Sequence, residues 1–384
     1  MALPEITDDD RRARLGRRHL LAAKADTVEE VVDALVGLHA TDPATVFLSA
    51  RARLADPSVA AVEEAFYERR SLVRLLCMRR TMFAVTADLA PVVDAAAARA
   101  IAAKERAGLL KYLAEGVGWD ADRLAEVEEA TLAALAARGE ATVVELGRDV
   151  PELLEQVVVA AGKKYETRQN VASRIVRVLA ADGRMRRSRP RGTWISSQFR
   201  WAPAEPWPEV DTGRARAELV RRWLTSFGPG TEADLKWWTG WTLGAVRTAL
   251  TTVGAVQVEL STGPGWALPD DLFTPATEPW VALLPGLDPT PMGWQARDWY
   301  LAPDLRPRLF DTAGNVGPTA WCDGRVVGGW AQRPDGEVVW QALTDVGAQA
   351  RAALDAEAAR LTAWLGGVRV VPRFRTPLEK ELSQ

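Results

Sequence analysis

Val36-Gly-Leu-His-Ala-Thr-Asp-Pro-Ala-Thr-Val-Phe-Leu-Ser-Ala-Arg51 holds the junction from which the rest of the chain is read. An amphipathic helix is predicted to stop here and another to start within a few residues. Asp42 before Pro43 has the form of an N-cap followed by proline in the first helical position. His39 and Thr41 sit at the junction with Ala40 between them, and the chain has only one other histidine, His19. Two readings of His39 stand side by side. A histidine in the last turn of a helix bonds the free carbonyls there. A histidine at a tight junction, in a chain that otherwise avoids the residue, is also a candidate functional group.

On the N-terminal side, residues 8–24 read as an arginine-rich helix. Thr27-Val-Glu-Glu30 has capping-box spacing, and Val31, Leu35 and Leu38 form a stripe that runs the second helix into the His39–Thr41 junction. On the C-terminal side, helices are predicted from Pro43 to about Leu54 and from Ser58 to Arg69. Two apolar strands within Ser71–Val85 then fold on each other around Met78–Thr81. Helices followed by a β-hairpin is the order of a winged helix.

The pattern recurs twice. Residues 87–119 are an alanine-rich helical connector. Helices are predicted over 123–137, 142–148 and 151–161, and Thr167 is placed to cap a helix through Ala181 with Val171, Ile175, Val178 and Leu179 on one face. Its other face carries Arg168, Gln169, Asn170, Arg174 and Arg177, and a hairpin with a basic tip, Arg184-Met-Arg-Arg-Ser-Arg-Pro-Arg191, follows. The third copy covers about 213–271, with Thr231 and Thr242 as caps and Gly263-Pro-Gly265 as the turn. Beyond it, Asp323-Gly324 and Asp335-Gly336 are tight-turn pairs in a meander. A helix over about 345–366 and a strand Val368–Pro372 complete what reads as a small β-barrel. The fold class expected is mainly α with α+β: winged-helix units over 1–86, 123–204 and 205–275, a connector at 87–122, and a C-terminal β-barrel with one helix over 276–384.

At 384 residues, with 48% apolar and 26% charged residues, the composition is that of a soluble protein of several domains. Cys77 and Cys322 lie far apart in apolar runs and read as reduced, buried thiols. No Cys/His cluster has metal-ligand spacing, so no metal and no cofactor are expected. The acidic N-terminus has no signal-peptide core and no run is long enough to span a bilayer, which gives a cytoplasmic protein without a membrane partner. Charge is unevenly placed. Residues 161–200 hold 11 Lys/Arg against 2 Asp/Glu, a balance of +9. With −3 overall, the remainder carries −12. A basic segment on an acidic body points to a bound polyanion. Lys163, Lys164, Arg168, Gln169, Asn170, Arg174, Arg177, Arg184, Arg186, Arg187, Arg189 and Arg191 are the candidate DNA contacts. The alternative is a solvated charged face, and five arginines between 184 and 191 weigh against it.

The sequence resembles the AlkZ/YcaQ-type bacterial DNA glycosylases. The likeness rests on Leu35-Val-Gly-Leu-His-Ala-Thr-Asp-Pro43, Met78-Arg-Arg-Thr-Met-Phe83, Phe227-Gly-Pro-Gly-Thr-Glu-Ala-Asp-Leu-Lys-Trp237, and Leu283-Leu-Pro-Gly-Leu-Asp-Pro289 with Gly293, Arg297 and Asp298. The resemblance implies three tandem winged helices and a C-terminal barrel around a DNA-binding cleft. It also implies a catalytic role for His39 and Thr41, which occupy the two positions of the family's motif, Gln, an apolar residue, then Gln or Asp. Neither position keeps the family's residue. Asp42, Arg79, Arg80 and Asp288 are possible orienting or site-lining groups.

Two functions follow. The first is a monofunctional glycosylase, expected as a monomer, that hydrolyses the N-glycosidic bond of alkylated or bulky-adduct purines in damaged double-stranded DNA, for repair or self-resistance to a genotoxin. Neutral His39, at a reference pKa of about 6.5, would accept a proton from water held by Thr41. The second is a non-catalytic DNA-binding protein, a regulator or a lesion-binding module, which the altered motif favours. A polar, solvent-open surround for His39 favours the enzyme, and apolar burial favours the second reading.

Overall fold

The computed structural model describes residues 3–159 and 166–384. The chain is a mixed α and β fold whose strands form small antiparallel sheets, each fed by short helices.

The first segment contains helices Asp8–Arg18, Val28–Ala34, Pro43–Arg51 and Val59–Glu63, the last running on as a π-helical turn over Glu64–Glu68. Capping boxes open the first two, at Thr7 with Asp10 and at Thr27 with Glu30. The second helix does not reach His39. It stops at Ala34, and Val36 at φ 57° and Gly37 at φ 126° reverse the chain. Gly37 is needed there, since a Cβ would meet the Ala84 carbonyl and the Val85 side chain at 3.0 Å. Leu38–His39 then forms a short strand beside Thr81–Thr86, which pairs in turn with Leu72–Cys77. The stripe at Val31, Leu35 and Leu38 is real as buried surface, but the backbone leaves the helix between its second and third members.

The second segment holds helices Ala121–Arg138, Val143–Asp149 and Ala172–Ala181 and the hairpin Met185–Pro190 with Phe199–Pro203. Here the helix expected over 151–161 and the Thr167 cap are replaced by a strand pair, Gln156–Val159 with Thr167–Asn170. The run Val157-Val158-Val159 is β-branched and suits a pleated surface better than a helix. Val157 also docks on Gly116, where a Cβ would lie 2.5 Å from it. Arg168, Gln169 and Asn170 are therefore on an exposed strand and not on a recognition-helix face. Lys163 and Lys164 lie outside the described residues.

The third segment follows its predicted order: Thr212–Phe227, Glu232–Thr239 and Leu243–Val253, then Val256–Leu260 paired with Gly263–Ala267. Thr231 and Thr242 accept from the backbone as N-caps.

The C-terminal segment is not a closed barrel. Its four strands, Val281–Leu284, Thr319–Cys322, Arg325–Gln332 and Val338–Ala342, lie in that order in one open antiparallel sheet. Helix Gly347–Leu365 packs on both outer strands, covering the edges that closure would have joined. Residues 368–372 add no strand; Val370 N–H instead donates to the Gln332 side-chain oxygen at 2.8 Å. Buried apolar residues from the first, third and C-terminal segments share one large core, and the second segment has its own, reaching back to Leu109 and Leu113. Cys77 is buried, with its thiol pushed up to about 12, and Cys322 is only partly buried.

Candidate DNA-processing site

His39 lies in the short strand, paired with Phe83, its ring 4.3 Å from the Phe83 ring and only 2% exposed. Burial, then the charge of Arg79, pushes its pKa down to about 3, against a weaker upward pull from Asp288. The imidazole is thus neutral throughout the physiological range. Ala40 N–H donates to Met82 O at 2.8 Å, so the backbone through residue 40 is extended. Thr41 follows, half-buried, and Asp42, also extended at φ −102° and ψ 120°, caps helix Pro43–Arg51 by accepting from Ala44 N–H at 3.1 Å. The other oxygen of Asp42 accepts from Arg373 N–H at 3.0 Å.

That hydrogen bond joins the junction to a concentration of positive charge. Arg373, Arg74 and Arg177 together depress the Arg187 guanidinium, which burial has already lowered, to about 10. The Arg187 side chain lies against Phe199 at 4.9 Å, and Arg74 stacks over Phe66 at 3.7 Å with its Nε buried and unbonded among the described residues. A cleft of about 490 Å³ is lined by Arg177, Arg187 and Arg191 with Thr142, Ser173 and Gln198. Arg74, Arg177, Arg187 and Arg373 have no ion-pair partner among the described residues, and a bound anion would supply one.

The other predicted DNA-binding residues divide. Arg184 is held by Glu128 and Glu129 within its own segment, and Arg189 by Glu63 at 2.5 Å and Glu68 at 3.1 Å, which fixes the second segment's hairpin to the first segment. Arg174 stacks on Tyr112 at 3.9 Å. Arg186 faces Arg70 and is lowered by burial first and by that charge second. Arg79 and Arg80 part company at the tip of the first hairpin. Arg79 turns in, over the Trp237 ring at 3.9 Å, and its field reaches His39. Arg80 turns out to pair with Glu105.

Asp288 is fully buried. Arg53 grips both its oxygens at 2.7 and 2.8 Å, Ser49 Oγ donates at 2.7 Å and Thr290 N–H at 2.9 Å. These donors hold its carboxyl below the usual range against the opposing effect of burial. Thr290 Oγ1 passes the network to His19 Nδ1 at 2.9 Å, so the second histidine is part of the core. Asp288 therefore anchors the loop after Val281–Leu284 to helix Pro43–Arg51 and has no free oxygen for a reacting water.

The family described as DNA glycosylase AlkZ-like matches residues 32–364. The chain belongs to the AlkZ-like DNA glycosylase family. Among solved structures, the Streptomyces sahachiroi DNA glycosylase AlkZ aligns with a TM-score of 0.72 at 20% identity, over 95% of this chain and 98% of that one. At that identity the likeness is one of fold. No curated protein matches the chain by sequence. The AlkZ-like motifs meet in space: Asp234 Oδ1 accepts from Gln295 N–H at 2.8 Å and Ala296 N–H at 2.9 Å, which sets Arg297 over Trp237.

Arg74 and Arg373 are the charged residues that sequence reading passed over. A lone arginine inside the apolar run Leu72–Cys77 was a usable signal for the first. Nothing local marks the second, because its neighbours in the cleft are far away in the chain. Among the described residues, no group of acidic, cysteine or histidine side chains is placed to hold a metal, and no helix is long and apolar enough to cross a membrane.

Proposed function

We propose that this chain is a monofunctional DNA glycosylase that releases alkylated or bulky-adduct purines from duplex DNA, with its three helix-and-hairpin segments acting as winged-helix modules. The observation that carries the reading is the Asp42–Arg373 hydrogen bond. It ties the residue after Thr41 to Arg373, whose charge acts on Arg187 in the cleft of Arg177, Arg187 and Arg191, and this supports a catalytic motif beside that cleft.

N7-alkylation of guanine places positive charge on the base and makes it a good leaving group. Bond cleavage then leaves oxocarbenium-like charge on the sugar, and the protein's task is to place a water against it. With a pKa of about 3, His39 is a weak base and does not ionise that water before the bond breaks. Its neutral imidazole accepts a hydrogen bond from the water, and Thr41 holds the same water through its hydroxyl. Extended backbone puts side chains two residues apart on one face, which suits a shared water where a helix would not. The motif contains no lysine, so hydrolysis is proposed without a Schiff-base step.

A second reading, a non-catalytic lesion-binding protein or regulator, is favoured by one observation: His39 is packed on Phe83 and nearly sealed. The deciding experiment incubates the chain with duplex DNA carrying N7-methylguanine and measures the free base by chromatography, wild type against His39→Ala. Base release that is lost in the variant supports the enzyme. Tight binding of the duplex with no release by the wild type establishes the second reading.

A further inference from the structure

We propose that the cavity between the first hairpin tip, the alanine-rich connector and helix Leu243–Val253 is a binding site for a phosphate group, separate from the Arg187 cleft. The cavity has a volume of about 460 Å³. Arg79, Lys104 and Arg216 lie in its wall and have no carboxylate partner among the described residues, while Arg80 and Glu105, also in the wall, neutralise each other. Three buried N–H donors of lining residues have no acceptor among the described residues: Arg79 Nε, Arg216 Nε and Trp241 Nε1. Three cations around one cavity, none with a carboxylate partner, match a ligand that carries both negative charge and acceptor oxygens, and a phosphate group supplies both.

The backbone is arranged for the same purpose. Arg79 and Arg80 both adopt left-handed conformations, at φ 54° and 60°, which disfavour side chains other than Asn, Asp or Gly. Strain of this kind persists where surrounding structure holds it and marks functional positions. Gly240, at φ 76°, comes so close to Arg79 that a Cβ would lie 3.4 Å from its backbone nitrogen, so the loop and the hairpin tip are held together. Thr242 caps the eleven-residue helix Leu243–Val253, whose N-terminus opens on the cavity and adds its positive dipole end. Two of the cations are backed by an indole, Arg79 by Trp237 at 3.9 Å and Arg216 by Trp241 at 5.3 Å. Ala97 and Ala100 keep the opposite wall small.

The phosphate has two possible sources, the DNA backbone or a free phosphate such as a mononucleotide, and one experiment separates them. The full chain is titrated calorimetrically with inorganic phosphate and with a 5′-deoxynucleotide, and its affinity for a duplex is measured against salt, for wild type and Arg216→Gln. A backbone source predicts a duplex salt slope lower by about one in the variant, with no phosphate or nucleotide binding in either protein. A free-phosphate source predicts saturable binding that Arg216→Gln weakens about tenfold, with an unchanged slope. Lys104→Gln, exposed and harmless to packing, gives the same readings if Arg216→Gln does not fold. No binding of phosphate or nucleotide together with unchanged slopes overturns the proposal. Because the readout is binding and not turnover, this result is distinct from failure of the glycosylase assay.

Discussion

Asp42 and Arg373, 331 residues apart, are joined by a 3.0 Å hydrogen bond from the Arg373 backbone N–H to Asp42 Oδ2. The same carboxylate caps helix Pro43–Arg51 with its other oxygen. One side chain therefore starts the helix after the His39–Thr41 motif and fixes the strap that brings Arg373 to the basic cleft. Asp42→Ala is expected to lower stability by about 1 kcal/mol through removal of the cap and to weaken DNA binding as Arg373 is released. Asp42→Asn keeps an acceptor for the cap but sets an amide donor against Arg373 N–H, so its stability should stay nearer to wild type while DNA binding is still weakened. Urea unfolding and duplex titration of both variants check this, and an Ala variant with native stability would deny Asp42 its capping role.

The arginines of the second segment differ in what they are free to do. Arg187→Gln with Arg191→Gln should flatten the dependence of log affinity on log salt by about two, one unit for each DNA phosphate that is no longer neutralised. Arg184→Gln with Arg189→Gln removes cations already paired with Glu128, Glu129, Glu63 and Glu68, and should change the slope little. Equal slopes for the two double variants would place the DNA elsewhere.

His39 and Thr41 are expected to behave as a unit in base release. Either alanine change should remove most activity, and the double change little more, as for residues that share one water. Additive losses in single-turnover rates would leave the pair a structural role only.

The buried pair Arg53–Asp288 makes a separate claim on stability. Asp288→Ala strands a fully buried guanidinium and is expected to cost about 3–5 kcal/mol in denaturant unfolding. A loss under about 1 kcal/mol would mean that Arg53 finds water or another partner.

Both histidines bear on acid stability. Burial holds His19 and His39 each at about 3 in the folded chain, below the ordinary value of 6.5. Between those values the unfolded chain binds protons that the folded chain does not, so stability falls as pH is lowered from 6.5 towards 3. Each histidine contributes a slope of about 1.4 kcal/mol per pH unit there, on top of that from the carboxylates. His39→Gln should make the fall between pH 6 and 5 measurably shallower. An unchanged slope would show that His39 protonates freely in the folded state.

Local signals in the sequence determined much of this protein. Thr27 with Glu30, Asp42 with Pro43, Thr231 and Thr242 are caps that depend only on neighbours a few residues away, and they start helices where expected. The Leu72–Thr86 hairpin and the meander turns at Asp323-Gly324 and Asp335-Gly336 depend likewise on adjacent residues. Tertiary structure decided the rest. Whether Val157–Val159 joins a strand depended on a partner at Thr167–Asn170 and on the room above Gly116. Whether the C-terminal sheet closes depended on helix Gly347–Leu365 lying over both edges. The depressed pKa of His39, the immersion of Asp288 and the pairing of Arg189 away from the cleft all come from groups distant in the chain. Charge and burial act through space, and a one-dimensional pattern carries no distance between residues that only folding brings together.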